Sequence, residues 1–426
     1  MAATITRQDS TFHTHVLPNG LQLIGQTIPG VQSTAVIFWV CTGTRDEIID
    51  QMGVSHFLEH MAFRRTKKYS GGEIDRTWEE MGADHNAATS WEMTFYWARV
   101  LSENTNWAID VLSELTRPVL DPADFDQERN VILEEIARYE DQPVHVLFSH
   151  FMRDFYGDYP LSWETLGTPE TIRNLDVEQM RAYWQRRYGA KNVIFSIAGA
   201  FDWDDVKTTV ERLTADWEPG EVGRSLGEPR FISKSRVYQR EKFVQQHIAI
   251  GTPLVSRSDP RYYAAALLST ILGDETGSRL YWSVYQEGLA DSATAQAMEF
   301  EDTGMMLVHI GTEPAKAREA LAVTQRELER LQRFDVDETE LERAKAKLNS
   351  SVVIGGESTN ERVMSLISSW LTQGRLETLE EVRTKIDEVT LADLKSLLDD
   401  RPIWPSQVIT AVGPLSEEEL PIPLQG

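Results

Sequence analysis

Three residues able to work on one metal ion, His56, Glu59 and His60, stand together in "VSHFLEHMAF", and they can act jointly only if that stretch is helical. On an α-helix, residues four apart lie on one face about 6 Å apart in rise, close enough for two imidazoles to grip one cation. Glu59, three residues after His56, projects near the same face, where a carboxylate is placed to take a proton from a water held at the ion. A histidine pair four apart is common on helices and by itself implies nothing. A hydrolytic zinc takes three protein ligands and leaves one position for water, so a third N or O donor has to come from elsewhere in the chain. The fold is thereby constrained to bring a second element against this helix.

The candidate element is "FDQERNVILEEIARYED". Glu128 and Glu135 are seven apart, two helical turns, and share a face with Val131 and Ile132 between them. Two carboxylates on a partly apolar face need a reason. Glu134 points elsewhere and reads as an ordinary solvated acid.

Short apolar, β-branched runs alternate with long amphipathic segments along the whole chain. "NTNWAIDVLSELT" at 104–116 sets Trp107, Val111, Leu112 and Leu115 at helical spacing, and "DPADFDQERNVILEEIARYED" opens on an Asp-Pro helix start. "KNVIFSIAGAF" at 191–201 reads as a buried strand, followed by a helix over "DDVKTTVERLTADW". The stretch "EPGEVGRSLGEPRFIS", rich in Gly, Pro and charge and without periodicity, reads as a linker. After it the pattern restarts with the strand "QQHIAIGTPLV", the helix "PRYYAAALLSTILG", the strand "TGMMLVHIGTEP" and the helix "AKAREALAVTQRELERLQRF". Two diverged copies of one α+β unit is the economical reading. The expected division is 1–217, a linker at 218–233, and 234–426.

Asp and Glu number 67 against 42 Lys and Arg, a formal charge of −25, which argues against nucleic acid or an anionic membrane as the partner. An acidic cleft would favour basic ligands. No apolar run approaches the roughly 20 residues of a membrane span, and the first residues lack the basic start and apolar run of a secretory signal. The single cysteine, Cys41, rules out an internal disulfide, suits a reducing cytoplasm, and reads as an inert thiol in an apolar strand. A cytoplasmic location is the expectation.

"HFLEHMAF", with the second Glu of "ERNVILEEI" well downstream, resembles the pitrilysin, insulysin and mitochondrial processing peptidase family of inverted zincins, with their His-x-x-Glu-His motif. The resemblance extends further. "GADHNAATSWEMTFYWARVL" is similar to the family segment after the metal helix, an edge strand that pairs with substrate, and "STNERVMSLISSWLTQGRLETLEEVRTKIDEVTLADL" is similar to its closing helices. It implies an α+β fold of two homologous halves, each a mostly antiparallel sheet packed with helices, arranged as a clamshell. It also implies a zinc endopeptidase acting on peptides or unfolded segments inside a chamber. Carried over by position, His56, His60 and Glu135 are the Zn2+ ligands and Glu59 is the general base. Glu128 is the carboxylate that orients the site, and Asn86 and Ala87 contact the peptide near the scissile bond. A homodimer, or a heteromer with a related subunit, is the expected assembly.

The resemblance breaks in the second half. Self-sufficient family members supply an Arg and a Tyr, seven apart, from a stretch ending Gly-Leu-Ala-Tyr. "SRLYWSVYQEGLADSAT" puts Tyr285 and Asp291 there instead, and Asp291 opposes an oxyanion. Three explanations stand. Arg279 or Tyr281 serves in place of the pair, another subunit supplies it, or the enzyme uses a different oxyanion device or a narrower substrate range. The rival function is a non-catalytic or partner-dependent subunit of a heteromeric processing peptidase. His85, His145 and His150 read as structural or surface residues. Trp78, Trp91 and Trp97 read as core.

Overall fold

The computed structural model describes residues 10–422 apart from 228 and 406. The chain begins with strands β1 (Thr11–Val16), β2 (Gln22–Thr27) and β3 (Ser33–Val40), then helices α1 (Val54–Ala62) and α2 (Gly71–Met81), then strands β4 (Asp84–Thr89) and β5 (Thr94–Leu101). Helices α3 (Thr105–Leu115), α4 (Pro122–Tyr139), α5 (Pro143–Tyr156), α6 (Pro169–Asn174) and α7 (Val177–Arg187) lead to strand β6 (Val193–Gly199) and helix α8 (Trp203–Thr214). The second round runs β7 (Lys234–Gln239), β8 (Gln246–Leu254), α9 (Tyr262–Gly273), β9 (Ser292–Glu299) and β10 (Gly304–Thr312). It closes with α10 (Ala317–Gln332), α11 (Glu338–Gly355), α12 (Thr359–Gln373), α13 (Leu379–Glu388), α14 (Leu391–Asp400) and β11 (Val408–Gly413).

The strands form a six-stranded sheet, β1-β2-β6-β3-β5-β4, and a five-stranded sheet, β7-β11-β8-β10-β9. With β1 set aside, the two orders are the same. In each, the first strand pairs parallel with the last (β2 with β6, β7 with β11), and every other pairing is antiparallel. The repeat read from the order of apolar runs is therefore a repeat of sheet topology, and the fold is α+β with two such sheets.

Both faces of the central strands are buried, which explains why β3 and β6 read as continuous apolar runs rather than as alternating ones. Val36, Phe38 and Val40 turn into a core shared with α1, α2, α3 and α4, whereas Ala35, Ile37 and Trp39 meet Val363, Leu366 and Ile367 of α12. On the second sheet, Ile248, Ile250, Val308 and Ile310 build a core with α9 and α10, while α5 lies against β8 and β11. Gly251 of β8 has no side chain because the rings of Phe151 and Phe155 occupy the space a Cβ would need.

The compact units consequently differ from the contiguous blocks 1–217 and 234–426. One holds the chain through Ile136, Trp163–Ser225 and Ile354–Glu377; the other holds Ala137–Ser162, Leu226–Val353 and the chain from Thr378. The middle helix of each five-helix run, α5 or α12, belongs with the sheet of the other round. Periodicity shows that a helix has an apolar face, and it does not show which sheet that face covers. Two smaller expectations also change. Trp107 is 36% exposed, unlike its buried neighbours Val111, Leu112 and Leu115, and Cys41 lies just past the end of β3, half-buried. No helix among the described residues is long and apolar enough to cross a membrane.

Candidate metal centre

Helix α1 begins at a glycine for a steric reason. Gly53 precedes it at φ 94°, a left-handed conformation, and a Cβ there would collide with the backbone of Leu166 and Gly167. Val54, Phe57, Leu58 and Met61 bury the inner face. Phe57 stacks on Phe125 of α4 at a ring separation of 4.5 Å and an interplanar angle of 14°. This stack and buried Ile132 fix α4 against α1 with Glu128 and Glu135 turned toward the histidines. Val131, expected on the same face, is 43% exposed.

The donor atoms of His56, His60 and Glu135 lie within 4.8 Å of one another. Glu135 Oε2 is 3.4 Å from His60 Nε2 and 3.8 Å from His56 Nε2. Ligand atoms about 2.1 Å from a tetrahedral ion stand roughly 3.4 Å apart, so the gap suits a zinc-sized cation. Glu128 Oε1 lies 2.9 Å from His60 Nδ1, so Nδ1–H donates to it and the Nε2 lone pair faces Glu135. That convergence of acceptors calls for a positive charge between them.

Burial, and then His60, push His56 down to about 3, leaving a neutral imidazole, the form that binds a metal. Burial also works to lower His60, but Glu128, Glu59 and Glu135 outweigh it and raise the ring above its ordinary value. The pocket therefore attracts a proton or a cation. Glu59 is raised by burial, against the hydroxyl of Thr89, which donates to its Oε2 at 2.8 Å. A raised carboxyl is the better proton acceptor near neutral pH.

Thr89 ends β4, the edge strand of the six-stranded sheet, paired on one side by β5. Asn86 on β4 is exposed and Ala87 is 9% exposed; the Ala87 N–H donates to Asn86 Oδ1 at 2.9 Å. His85 stacks on buried Trp78 at 4.7 Å. His150 stacks on Tyr238 at 3.8 Å, a structural role. Sequence reading missed Thr89 and also Glu47, which bonds the start of α1. Both are joined to the site across turns, and no spacing rule reports such a contact.

In the second unit, Tyr285 is 46% exposed and Asp291 accepts from Gln245 Nε2 at 2.6 Å. Arg279 does not stand ready to replace the missing Arg. It is 8% exposed, bonded to Glu340 at 2.8 Å through Nε and Nη2, and it donates to the Asp335 carbonyl. Tyr281 accepts from Gln286 Nε2.

Residues 24–169 match the family model described as Insulinase (Peptidase family M16), and residues 174–348 match the one described as Peptidase M16 inactive domain. The uncharacterized zinc protease YmxG of Bacillus subtilis (strain 168) is 31% identical over 381 residues, 89% of this chain and 93% of that one. The mitochondrial-processing peptidase subunit beta of Saccharomyces cerevisiae is 29% identical over 412 residues, 92% of this chain and 89% of its own. Among solved structures, a protease from Helicobacter pylori superposes with a TM-score of 0.85 at 21% identity, covering 95% of this chain and 99% of the other.

Proposed function

Because the chain belongs to the M16 peptidase family, we propose that it is a zinc-dependent endopeptidase hydrolysing peptides or unfolded segments. The observation that carries this reading is the convergence of His56, His60 and Glu135 within 4.8 Å, with Glu59 on the same helix as the two histidines. His56, His60 and Glu135 would hold Zn2+, and Glu128 fixes the tautomer and orientation of His60. Zinc bound there supplies Lewis acidity toward water and the scissile carbonyl.

The chain's own groups do the rest. Glu59, steadied by Thr89, accepts the proton of the attacking water at Oε and delivers a proton to the departing amine. An extended peptide pairs with the edge of β4, where Asn86 and Ala87 meet it and the Ala87 N–H exchanges its bond to Asn86 for one to substrate. Backbone pairing gives affinity without demanding one sequence. The formal charge of −25 favours basic peptides.

A second reading has its own support. With Tyr285 and Asp291 where an Arg and a Tyr are expected, and Arg279 engaged by Glu340, the chain is a subunit that depends on a related partner for full activity. Cleavage of a mixed peptide library by the purified chain, with Glu59→Gln as control and zinc content measured, separates the two. Cleavage abolished in the variant supports a self-sufficient peptidase. Bound zinc without cleavage favours the partner-dependent subunit, and absence of both overturns the metallopeptidase reading.

A further inference from the structure

The proposed chemistry makes no use of Glu47, yet both of its carboxylate oxygens are committed to the metal helix. Oε2 accepts from Gly53 N–H at 2.7 Å and Oε1 from Ser55 N–H at 2.8 Å, with the residue 6% exposed. N–H groups at a helix start have no partner within the helix, so their bonds are the ones available to fix its position. Ser55 directly precedes His56.

The loop carrying Glu47 is itself held by buried ions. Asp46 Oδ1 meets Arg224 Nε at 3.0 Å and Arg187 Nη2 at 3.6 Å, and Asp46 Oδ2 accepts from Gly43 N–H at 3.0 Å. Glu92 Oε1 meets Arg45 Nη1 at 2.7 Å and Arg224 Nη1 at 3.2 Å, while Arg224 Nη2 donates to the Glu92 carbonyl at 2.8 Å. The side chains of Arg224, Asp46 and Glu92 are 7%, 2% and 6% exposed. Thr44 and Arg45 N–H groups donate to the Ser90 and Trp91 carbonyls at 3.1 Å and 2.9 Å. The loop before α1 is thus joined to the turn that follows Thr89, and Thr89 holds Glu59.

We propose that Glu47 is a positioning residue for the metal helix and that Arg224, from the segment after α8, locks the loop that carries it. Together they set where His56, Glu59 and His60 stand relative to Thr89. The inference rests on the metal-centre reading above.

The test uses the full chain with Co2+ as probe. Its affinity is measured by chelator competition and its coordination by the visible d–d spectrum, with thermal unfolding in parallel, for Glu47→Gln, Arg224→Met and the double variant. Glu47→Gln keeps the shape but turns one acceptor into a donor facing a backbone N–H. It is expected to weaken Co2+ binding about tenfold and alter the spectrum, as changes to groups supporting metal ligands do. Arg224→Met is expected to act in the same direction, and the double variant to fall short of the product of the two. Folded variants with the parental affinity and spectrum, even at a lower Tm, overturn the inference. If Glu47→Gln does not fold, Arg224→Met alone decides it by the same criterion. A parent chain that binds neither Co2+ nor Zn2+ overturns the metal-centre reading, and this inference with it.

Discussion

Glu128→Gln isolates the charge that Glu128 places behind His60. The carboxylate accepts the His60 Nδ1–H at 2.9 Å and is 5% exposed, so little water competes for the bond. A hydrogen bond to a charged group contributes about 1.5–3 kcal/mol, and a neutral one about 1 kcal/mol. The glutamine carbonyl still accepts, so the substitution removes the difference, on the order of 1.4 kcal/mol, or about tenfold in zinc affinity. Glu128→Ala removes the acceptor as well and frees the tautomer, and the loss approaches the 100-fold upper end for such partners. Arg64, whose Nη1 lies 3.5 Å from Glu128 Oε2, is 33% exposed and is solvated once the carboxylate is gone. Its contribution to the difference is therefore small. The assay is equilibrium competition with a chelator of known zinc affinity at fixed pH, because the ligands release protons on binding. Glu134→Gln, on the exposed side of the same helix, serves as control and is expected to match the parent. Parental affinity in both Glu128 variants, or equal losses at Glu134, would refute the assignment of Glu128 to His60.

Phe57→Ala empties a fully buried site stacked on Phe125 and is expected to cost about 3–5 kcal/mol in urea unfolding; a loss under about 1 kcal/mol would show that α1 and α4 are held otherwise. Thr89→Ala removes the 2.8 Å bond to Glu59 and should lower kcat about tenfold with zinc content unchanged, so a parental kcat would exclude a role for Thr89 in holding the base. His309 is pushed down to about 4, first by burial and then by His247, 3.3 Å away across the sheet. Its folded value lies below the ordinary 6.5, so the stability it contributes is present above pH 6.5 and lost as pH falls through 4, about 3 kcal/mol in all. His309→Leu should flatten unfolding free energy against pH over that window, and an unchanged slope would reject the assignment.

Much of this was legible because the relevant contacts are local. Helical spacing alone puts His56, Glu59 and His60 on one turn, and Glu128 and Glu135 on one face of α4. The sheet repeat was visible in the alternation of apolar runs with amphipathic helices. Which carboxylate of α4 comes nearer which histidine was not a question of spacing; it depends on the tilt that the Phe57 and Phe125 stack imposes, and there only the family resemblance pointed to Glu135. The exchange of α5 and α12 between units was illegible for a similar reason, since Phe151, Val363 and Ile367 are the same apolar residues whichever sheet they cover. Glu47 looked like one acid among 67, and its role follows only from the two N–H groups at the start of α1.

The repeat also sharpens what distinguishes the two rounds. Between β3 and β4, α1 keeps His56, Glu59 and His60 on its partly exposed side. Between β8 and β9, α9 buries Ala264, Ala265, Leu267, Leu268, Ile271 and Leu272 and carries no His, Asp or Glu. A helix buried on that many sides has no face left for polar ligands, because each unpaired polar atom there would carry an uncompensated desolvation cost. One sheet topology thus carries two kinds of helix. The same apolar strands hold either a helix with a polar, partly exposed face or one given over to packing, and a handful of side chains on that helix makes the difference.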